Sequence, residues 1–206
     1  MKITILIASF LMSSAAAFAQ HEVGTLTLHP RAGLNVAYFT GSGGVDTKPR
    51  LGFAVGAELE YQLRKRLGLS AGVVYSWQGE KATIPAKGFP STGNMRMTAK
   101  TDYINFPILA NIYMLQGLAL KFGVQPAVNV KAGYSATTAF GEQDGNLSYY
   151  GINVRTFDFA IPVGLSYEYK AFVIDARYNI GVTKVAYGDD SRNRVFQITL
   201  GFKTAL

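Results

Sequence analysis

The sequence predicts an all-β fold, an eight-stranded antiparallel up-and-down transmembrane β-barrel. Apolar residues alternate with small or polar residues at a period of two along most of the chain from residue 28 to residue 203. Charged residues make up only 16% of the 206 residues, against about 25% in soluble domains. Beyond the N-terminal segment, no apolar run approaches the length of about 18 residues that a transmembrane helix requires. A membrane chain of this kind is expected to cross through strands that close into a barrel.

The first 19 residues have the features of an export signal. Lys2 supplies a positive start, residues 3–12 are mostly apolar, and Ala17-Phe18-Ala19 fits a small-x-small cleavage site. We predict a signal peptide over residues 1–19, cleaved near Ala19, and one barrel domain over residues 20–206 in the cell outer membrane, reached by the general secretory route. The chain has no cysteine, so neither disulfides nor thiol chemistry are expected.

Eight segments of 11 to 16 residues carry the alternation, and a tilted membrane strand needs about 9–11 residues. They are residues 28–40, 51–62, 67–78, 101–114, 118–131, 154–169, 171–185 and 193–203. Pro107, Pro126 and Pro162 lie within these segments and remove ladder donors, so we expect a β-bulge at each.

The connections alternate between short and long. Short turns are predicted at residues 63–66, 115–117 and 170–171, and long loops at 41–50, 79–100, 132–153 and 186–192. This arrangement is typical of outer-membrane barrels, whose short turns are periplasmic and whose long loops are extracellular. The basic loop 79–100 and the aromatic loop 132–153 are candidate binding surfaces for outer-membrane lipids such as lipopolysaccharide, or for a protein partner.

The segment FVIDARYNIGV (172–182) places Asp175 and Arg177 inside an apolar strand. Because they are two residues apart, both side chains lie on one face, and that face must be the lumen if the other meets lipid. The same parity assigns ten charged residues to the lumen, five acidic and five basic: Arg31, Glu58, Glu60, Lys121, Lys131, Asp158, Glu168, Asp175, Arg177 and Lys203. We expect these charges to pair, because a narrow barrel interior solvates them poorly. The resulting network is either a structural plug or an ion path.

Aromatic residues gather near the strand ends. Six are predicted to form two interfacial girdles: Tyr38, Tyr75 and Trp77 near the long loops, and Tyr61, Tyr169 and Phe202 near the short turns. Tyr113 also lies at a strand end, but its parity places it on the polar face, so it needs a bulge or a lumen-facing role.

The stretch DYINFPILANIY (102–113) resembles a tyrosine-to-proline string in Bacteroidetes-type outer-membrane β-barrel proteins, also called porin-family or PorT-like proteins. The matching residues are Tyr103, Ile104, Phe106, Pro107, Ile108 and Leu109. Residues 68–79 and 157–169 are also similar to strands of that family. The resemblance implies an outer-membrane barrel without implying one shared activity.

No catalytic, cofactor-binding or metal-binding residues are predicted. The only histidines, His21 and His29, lie near the N-terminus, away from the outer rim where a barrel enzyme would need them. Basic residues are scattered, so the net charge of +7 does not indicate nucleic-acid binding. We therefore expect a monomeric, non-enzymatic barrel of structural or interaction type with a largely plugged lumen. A narrow porin-like channel and, more distantly, a soluble lipocalin-like ligand-binding barrel are the alternatives.

Overall fold

A computed structural model describes residues 22–41, 46–84, 95–138, 141–150, 153–187 and 190–206. The predicted signal peptide lies outside these residues. Within them the strands are β1 (Leu26–Thr40), β2 (Asp46–Arg64), β3 (Leu67–Ile84), β4 (Met95–Asn105), β5 (Ile108–Leu115), β6 (Leu118–Thr138), β7 (Gly141–Asn146), β8 (Phe157–Tyr169), β9 (Phe172–Lys184), β10 (Arg192–Phe202) and β11 (Thr204–Ala205). A short 3-10 helix, Leu147–Tyr150, follows β7.

The strands form a closed antiparallel ring. Its order is β1-β2-β3-β4-β6-β8-β9-β10, and β10 pairs with β1 to close it. β5 continues the position of β4 in the ring, since it pairs with the same neighbours, β3 and β6. The ring therefore has eight strand positions, which confirms the predicted eight-stranded up-and-down barrel.

Side chains alternate across the barrel wall as the sequence pattern predicts. In β9, Asp175 and Arg177 are 0% and 1% exposed, whereas Phe172 and Ile174 are 57% and 51% exposed. Across the ring the large apolar side chains point outward and polar ones point inward. In the described residues the barrel has a polar interior and an apolar exterior, which suits lipid and is the reverse of a lipocalin, so the soluble lipocalin-like alternative is wrong. None of the described helical segments is long and apolar enough to cross a membrane.

The expected bulges at Pro107, Pro126 and Pro162 are absent, because the register is unchanged across each proline. The pair Val74↔Asn105 before Pro107 and the pair Ala71↔Ile108 after it follow one register. Neighbouring groups satisfy the local backbone: Gly72 N–H donates to the Pro107 carbonyl at 3.0 Å, and Phe106 N–H donates to the Pro126 carbonyl at 2.8 Å. A proline thus interrupts the ladder here without shifting it. The register shifts that do occur lie between Pro49/Ala54, Gln62/Arg64, Asp102/Tyr103, Tyr113/Leu115 and Arg192/Arg194.

Much of the predicted loops 79–100 and 132–153 is strand. β3 continues to Ile84 and β4 begins at Met95, while β6 continues to Thr138 and pairs with β7. The prediction of loops over 79–100 and 132–153 is wrong for these parts, because strands that do not present one apolar face to lipid show no apolar alternation. Beyond the barrel, β2, β3, β4, β6 and β7 form one five-stranded sheet, which we call the outer sheet. Residues 85–94 and 151–152 lie outside the described part of the chain.

Candidate functional site

Charged side chains from four strands meet in the middle of the lumen. Arg31 Nη1 lies 2.7 Å from Glu58 Oε1, and Arg177 Nη1 lies 2.6 Å from the same oxygen. Arg177 also donates to Asp175 Oδ2 at 2.9 Å, and Lys121 Nζ lies 3.0 Å from that oxygen. All five residues are at most 3% exposed. This group, the central ion cluster, joins β1, β2, β6 and β9 across the lumen.

A second network lies at the short-turn end. Lys203 Nζ donates to Glu60 Oε2 at 3.1 Å and to Glu168 Oε1 at 2.8 Å. The Tyr113 hydroxyl lies 2.6 Å from Glu60 Oε1 and 2.9 Å from Glu168 Oε1, and it accepts from Lys203 at 2.9 Å. Tyr113 is only 6% exposed, so it faces the lumen. We call these four residues the short-turn cluster.

Lys131 is not in the lumen, so its predicted assignment is wrong. It is exposed. Tyr103 pairs with Asn129 but Asp102 pairs with Lys131, so β6 carries one extra residue at this point. That extra residue reverses the inward and outward parity of the rest of the strand. Among the described residues, the predicted charges inside the lumen are therefore five acids and four bases, rather than five of each.

Asp158 is the predicted lumen acid for which no ion pair is found among the described residues. It is 7% exposed, and it accepts hydrogen bonds from Phe159 N–H at 2.9 Å and from the Thr183 hydroxyl. It borders a cavity of about 10 Å³, room for roughly one water molecule. The polar side chains lining that cavity are Gln78, Asn105, Gln125, Asp158, Asn179 and Asn193. Sequence reasoning missed these neutral amides because it searched the inner face for charge.

Amide and hydroxyl groups connect this upper region to the central ion cluster. Arg31 Nη2 donates to Gln197 Oε1 at 2.9 Å, and Gln197 Nε2 donates to Asn35 Oδ1 at 2.8 Å. Asn35 Nδ2 in turn donates to Ser76 Oγ at 2.7 Å. Gln78, which lines the cavity, donates to the same Ser76 hydroxyl at 2.9 Å, so polar side chains connect the central ion cluster to the cavity.

His29 is a lumen residue that sequence reasoning treated as an ordinary N-terminal polar side chain. It pairs with Glu58 in the β1–β2 register and is 2% exposed, and no hydrogen-bond partner for its Nε2 is found in the part of the chain that the structure describes. His21 lies outside the described residues. Among the residues that the structure describes, no three His, Cys, Asp or Glu side chains are arranged to hold a metal ion.

The predicted girdle aromatics lie in two groups. At the short-turn end, Tyr61, Tyr169 and Phe202 are 45–46% exposed, and the Phe202 ring meets Phe172 edge-on at 5.9 Å. At the other end, Trp77 meets the Tyr75 ring edge-on at 6.0 Å. There the Tyr38 and Tyr178 hydroxyls lie 2.9 Å apart. An interfacial role for these residues remains a prediction.

The outer sheet carries an exposed ion pair between β4 and β7. Lys100 Nζ lies 3.2 Å from Asp144 Oδ1, and the Ser135 hydroxyl also donates to that carboxylate. The hydrogen bonds from Ser135 and Lys100 lower the pKa of Asp144 below its ordinary value.

A closed strand ring with an apolar exterior and a bridged polar lumen defines a transmembrane β-barrel. Residues 18–187 match the family model described as "Outer membrane protein beta-barrel domain". The chain belongs to this family, and it is an outer-membrane β-barrel protein.

Comparison with solved structures finds other outer-membrane barrels. Ail from Yersinia pestis, solved with sucrose octasulfate, is 16% identical over 89% of this chain and 100% of its own, with a TM-score of 0.49. Neisserial surface protein A is 13% identical over 86% and 97%, with a TM-score of 0.46. OprG from Pseudomonas aeruginosa is 12% identical over 90% and 98%, with a TM-score of 0.42. A search of curated proteins finds no significant match. None of these similarities is close enough to transfer a ligand or an activity.

Proposed function

We propose that this protein is a non-enzymatic outer-membrane barrel of interaction type, whose lumen is closed and whose outer sheet is the binding surface. The observation that carries the proposal is the central ion cluster. Its five side chains come from β1, β2, β6 and β9 and bond to one another across the lumen. An eight-stranded barrel has little interior space beyond its side chains, so such a cluster obstructs a continuous water path.

The outer sheet supports an interaction role. Strands that only line a pore can end at the membrane surface, but here four barrel strands, β2, β3, β4 and β6, continue and remain paired, and β7 adds a fifth strand. Candidate partners are lipopolysaccharide in the surrounding leaflet and a protein that contacts the segments 79–100 and 132–153. The signal peptide, the monomeric state and the PorT-like affiliation belong to this proposal as well, supported by the sequence features that predicted them.

A narrow channel is the second candidate function. The observation that favours it is Asp158, an acid without an ion-pair partner among the described residues, beside a cavity lined with amides. An acid in such a position could attract cations. The cavity lies above the central ion cluster, however, so conduction would require that cluster to open.

Planar-bilayer recording of the refolded protein tests the proposal. We expect no stable open steps from the natural sequence. The triple variant Arg31→Ala, Glu58→Ala, Arg177→Ala removes the bulk and charge of the central ion cluster, and it should conduct if it folds, as judged by a heat-dependent shift in gel mobility. Large, stable steps from the natural sequence would contradict closure and favour the channel.

A further inference from the structure

One face of the outer sheet carries four lysines in adjacent rows. Lys48 pairs directly with Lys81 across β2 and β3. The next row of the same face lies two residues nearer the barrel, where Lys100 on β4 pairs with Gly79 on β3 and Gly133 on β6. The row after that joins Trp77 on β3, Asp102 on β4 and Lys131 on β6. Because alternate residues of a strand share a face, these side chains lie on the outward side of the sheet. We call Lys48, Lys81, Lys100 and Lys131 the basic face.

The Lys48–Lys81 pair is unfavourable without a counter-ion. Like charges directly opposite one another on neighbouring antiparallel strands destabilise the pair. Both side chains are exposed, and among the described residues neither forms an ion pair, nor does Lys131. An anionic group placed between Lys48 and Lys81 would remove the repulsion.

The surroundings of Lys100 leave room for a ligand. Its neighbours in the row, Gly79 and Gly133, have no side chains. Its acidic partner Asp144 is mostly exposed, with 68% of its side chain accessible. An exposed ion pair of this kind contributes little, so a multiply charged anion can replace the carboxylate.

The position of the basic face identifies the source of that anion. The row below Lys131 joins Tyr75, Ile104 and Val128, and Val128 pairs with Phe157 on β8. Val128 and Phe157 are exposed apolar side chains of the barrel wall, and Trp77 marks the same level as Lys131. Rows on one face are about 6–7 Å apart along the strand, so the lysines begin where the apolar wall ends. A lipid with its chains against the apolar wall would hold its headgroup at the level of these lysines.

We propose that the basic face binds the phosphate groups of a phosphorylated glycolipid in the outer leaflet of the same membrane. This inference rests on the proposed function, because it names the partner of the outer sheet. A lipid reaches the face laterally, with its chains against the apolar wall and its phosphates beside Lys131, Lys100 and the Lys48–Lys81 pair. Lysine stems can follow the wall while their ammonium groups reach the headgroups.

Trp77 provides the readout, because it is the only tryptophan of the chain and lies in the row of Lys131. Lipopolysaccharide is titrated into the detergent-solubilised full-length protein while Trp77 emission is followed. We expect the double variant Lys48→Gln, Lys81→Gln to bind roughly 30-fold more weakly, since each lysine near an anionic surface contributes about 1 kcal/mol. Dephosphorylated lipopolysaccharide should give a similar loss with the natural sequence.

The matched control is Lys65→Gln, Lys170→Gln, which removes two exposed lysines at the short-turn end. It should bind like the natural sequence. Equal binding by the Lys48/Lys81 variant, or by dephosphorylated lipid, would overturn the inference. So would equally tight binding of the lipid-free phosphorylated core oligosaccharide, because the lipid would then not be the source. Bilayer conductance of the same preparations separates failure of this inference from failure of the proposed function. A closed barrel that binds no lipid contradicts only the inference, whereas a conducting barrel contradicts the proposed function.

Discussion

The two halves of the lumen are built from different side chains. Toward the short turns, the central ion cluster and the short-turn cluster hold charged groups that contact one another at 2.6–3.1 Å. Toward the outer sheet, neutral amides predominate around Asp158, and the amide oxygens of Asn179 and Asn193 have no hydrogen-bond partner among the described residues. A charge removed from the first half leaves its partners unpaired, whereas the second half has room for water to replace a lost contact. The first half should therefore carry closure and stability.

The largest effect is expected at Arg177. Arg177→Met leaves Glu58 and Asp175 without their shared guanidinium, and breaking a buried pair in this way costs about 3–5 kcal/mol. Urea titration of the protein refolded into phospholipid vesicles measures the loss. Adding Glu58→Gln to the variant should lower stability further, because it leaves Arg31 without its nearest carboxylate. A cost below 1 kcal/mol would show that the charged half is not the stabilising one.

Replacing one aspartate by asparagine in each half of the lumen tests the comparison directly. Asp175→Asn removes the carboxylate that Lys121 and Arg177 share, so it should cost about 3 kcal/mol or more. Asp158→Asn keeps an acceptor for Phe159 N–H and leaves no described cation unpaired, so it should change stability by no more than about 1 kcal/mol. Vesicle unfolding curves of the two variants, run side by side, should differ clearly, and equal losses would abolish the distinction.

Tyr113→Phe should have a smaller effect within the charged half. The variant keeps the ring but removes the hydroxyl that contacts Glu60 and Glu168, and a lost hydrogen bond to a charged group costs about 1.5–3 kcal/mol. Lys203 still bridges the two carboxylates, so the cost should fall at the lower end of that range. Heat-modified gel mobility should still report a folded barrel. An unfolded variant would mean that the hydroxyl contributes more than a single contact.

The smallest effect on stability is expected for the exposed ion pair between Lys100 and Asp144. Hydrogen bonds from Ser135 and Lys100 hold the pKa of Asp144 below its ordinary value of 3.8. The contribution of a lowered carboxyl pKa is complete above the ordinary value and is lost as the pH falls through the depressed one. Stability should therefore show no Asp144-dependent change between pH 7 and pH 5, with Asp144→Asn as the control. A difference between the two proteins that grows over this range would contradict the assignment.

Period-two alternation was sufficient to place nine of the ten predicted lumen charges, because each strand keeps its parity as long as its register is unbroken. The predicted lumen position of Lys131 was wrong for a specific reason. The extra residue in β6 is revealed by pairing with β4, more than twenty residues earlier in the chain, and nothing within β6 itself marks it. The prolines gave the opposite error, since bulges were expected and none formed. Neighbouring strands donate to the carbonyls of Pro107 and Pro126, and the β8–β9 register continues unchanged through Pro162.

The outer sheet was unpredictable for a different reason. Apolar alternation reports a strand with one face toward lipid and one toward the lumen, and the segments around Lys81 and Lys100 carry no such apolar face. The contacts of Tyr113 were also beyond reach, since parity could indicate the lumen but could not identify Glu60 and Glu168 as the groups that share its hydroxyl. Which side chains meet across a lumen depends on how all eight strand positions are staggered.

The pairing of β1 with β10 also affects how quickly the barrel can form. Arg31 contacts Asp175 and Gln197, which are 144 and 166 residues away along the chain. Contacts of such high sequence separation impose a large loop-closure entropy, and chains dominated by them fold slowly. The central ion cluster therefore cannot assemble until the chain through β9 is present, which is nearly the whole barrel sequence. Until then, its arginines and carboxylates lie on unpaired strands with no route into lipid, so the chain must remain in water, prone to aggregation, until the last strand arrives.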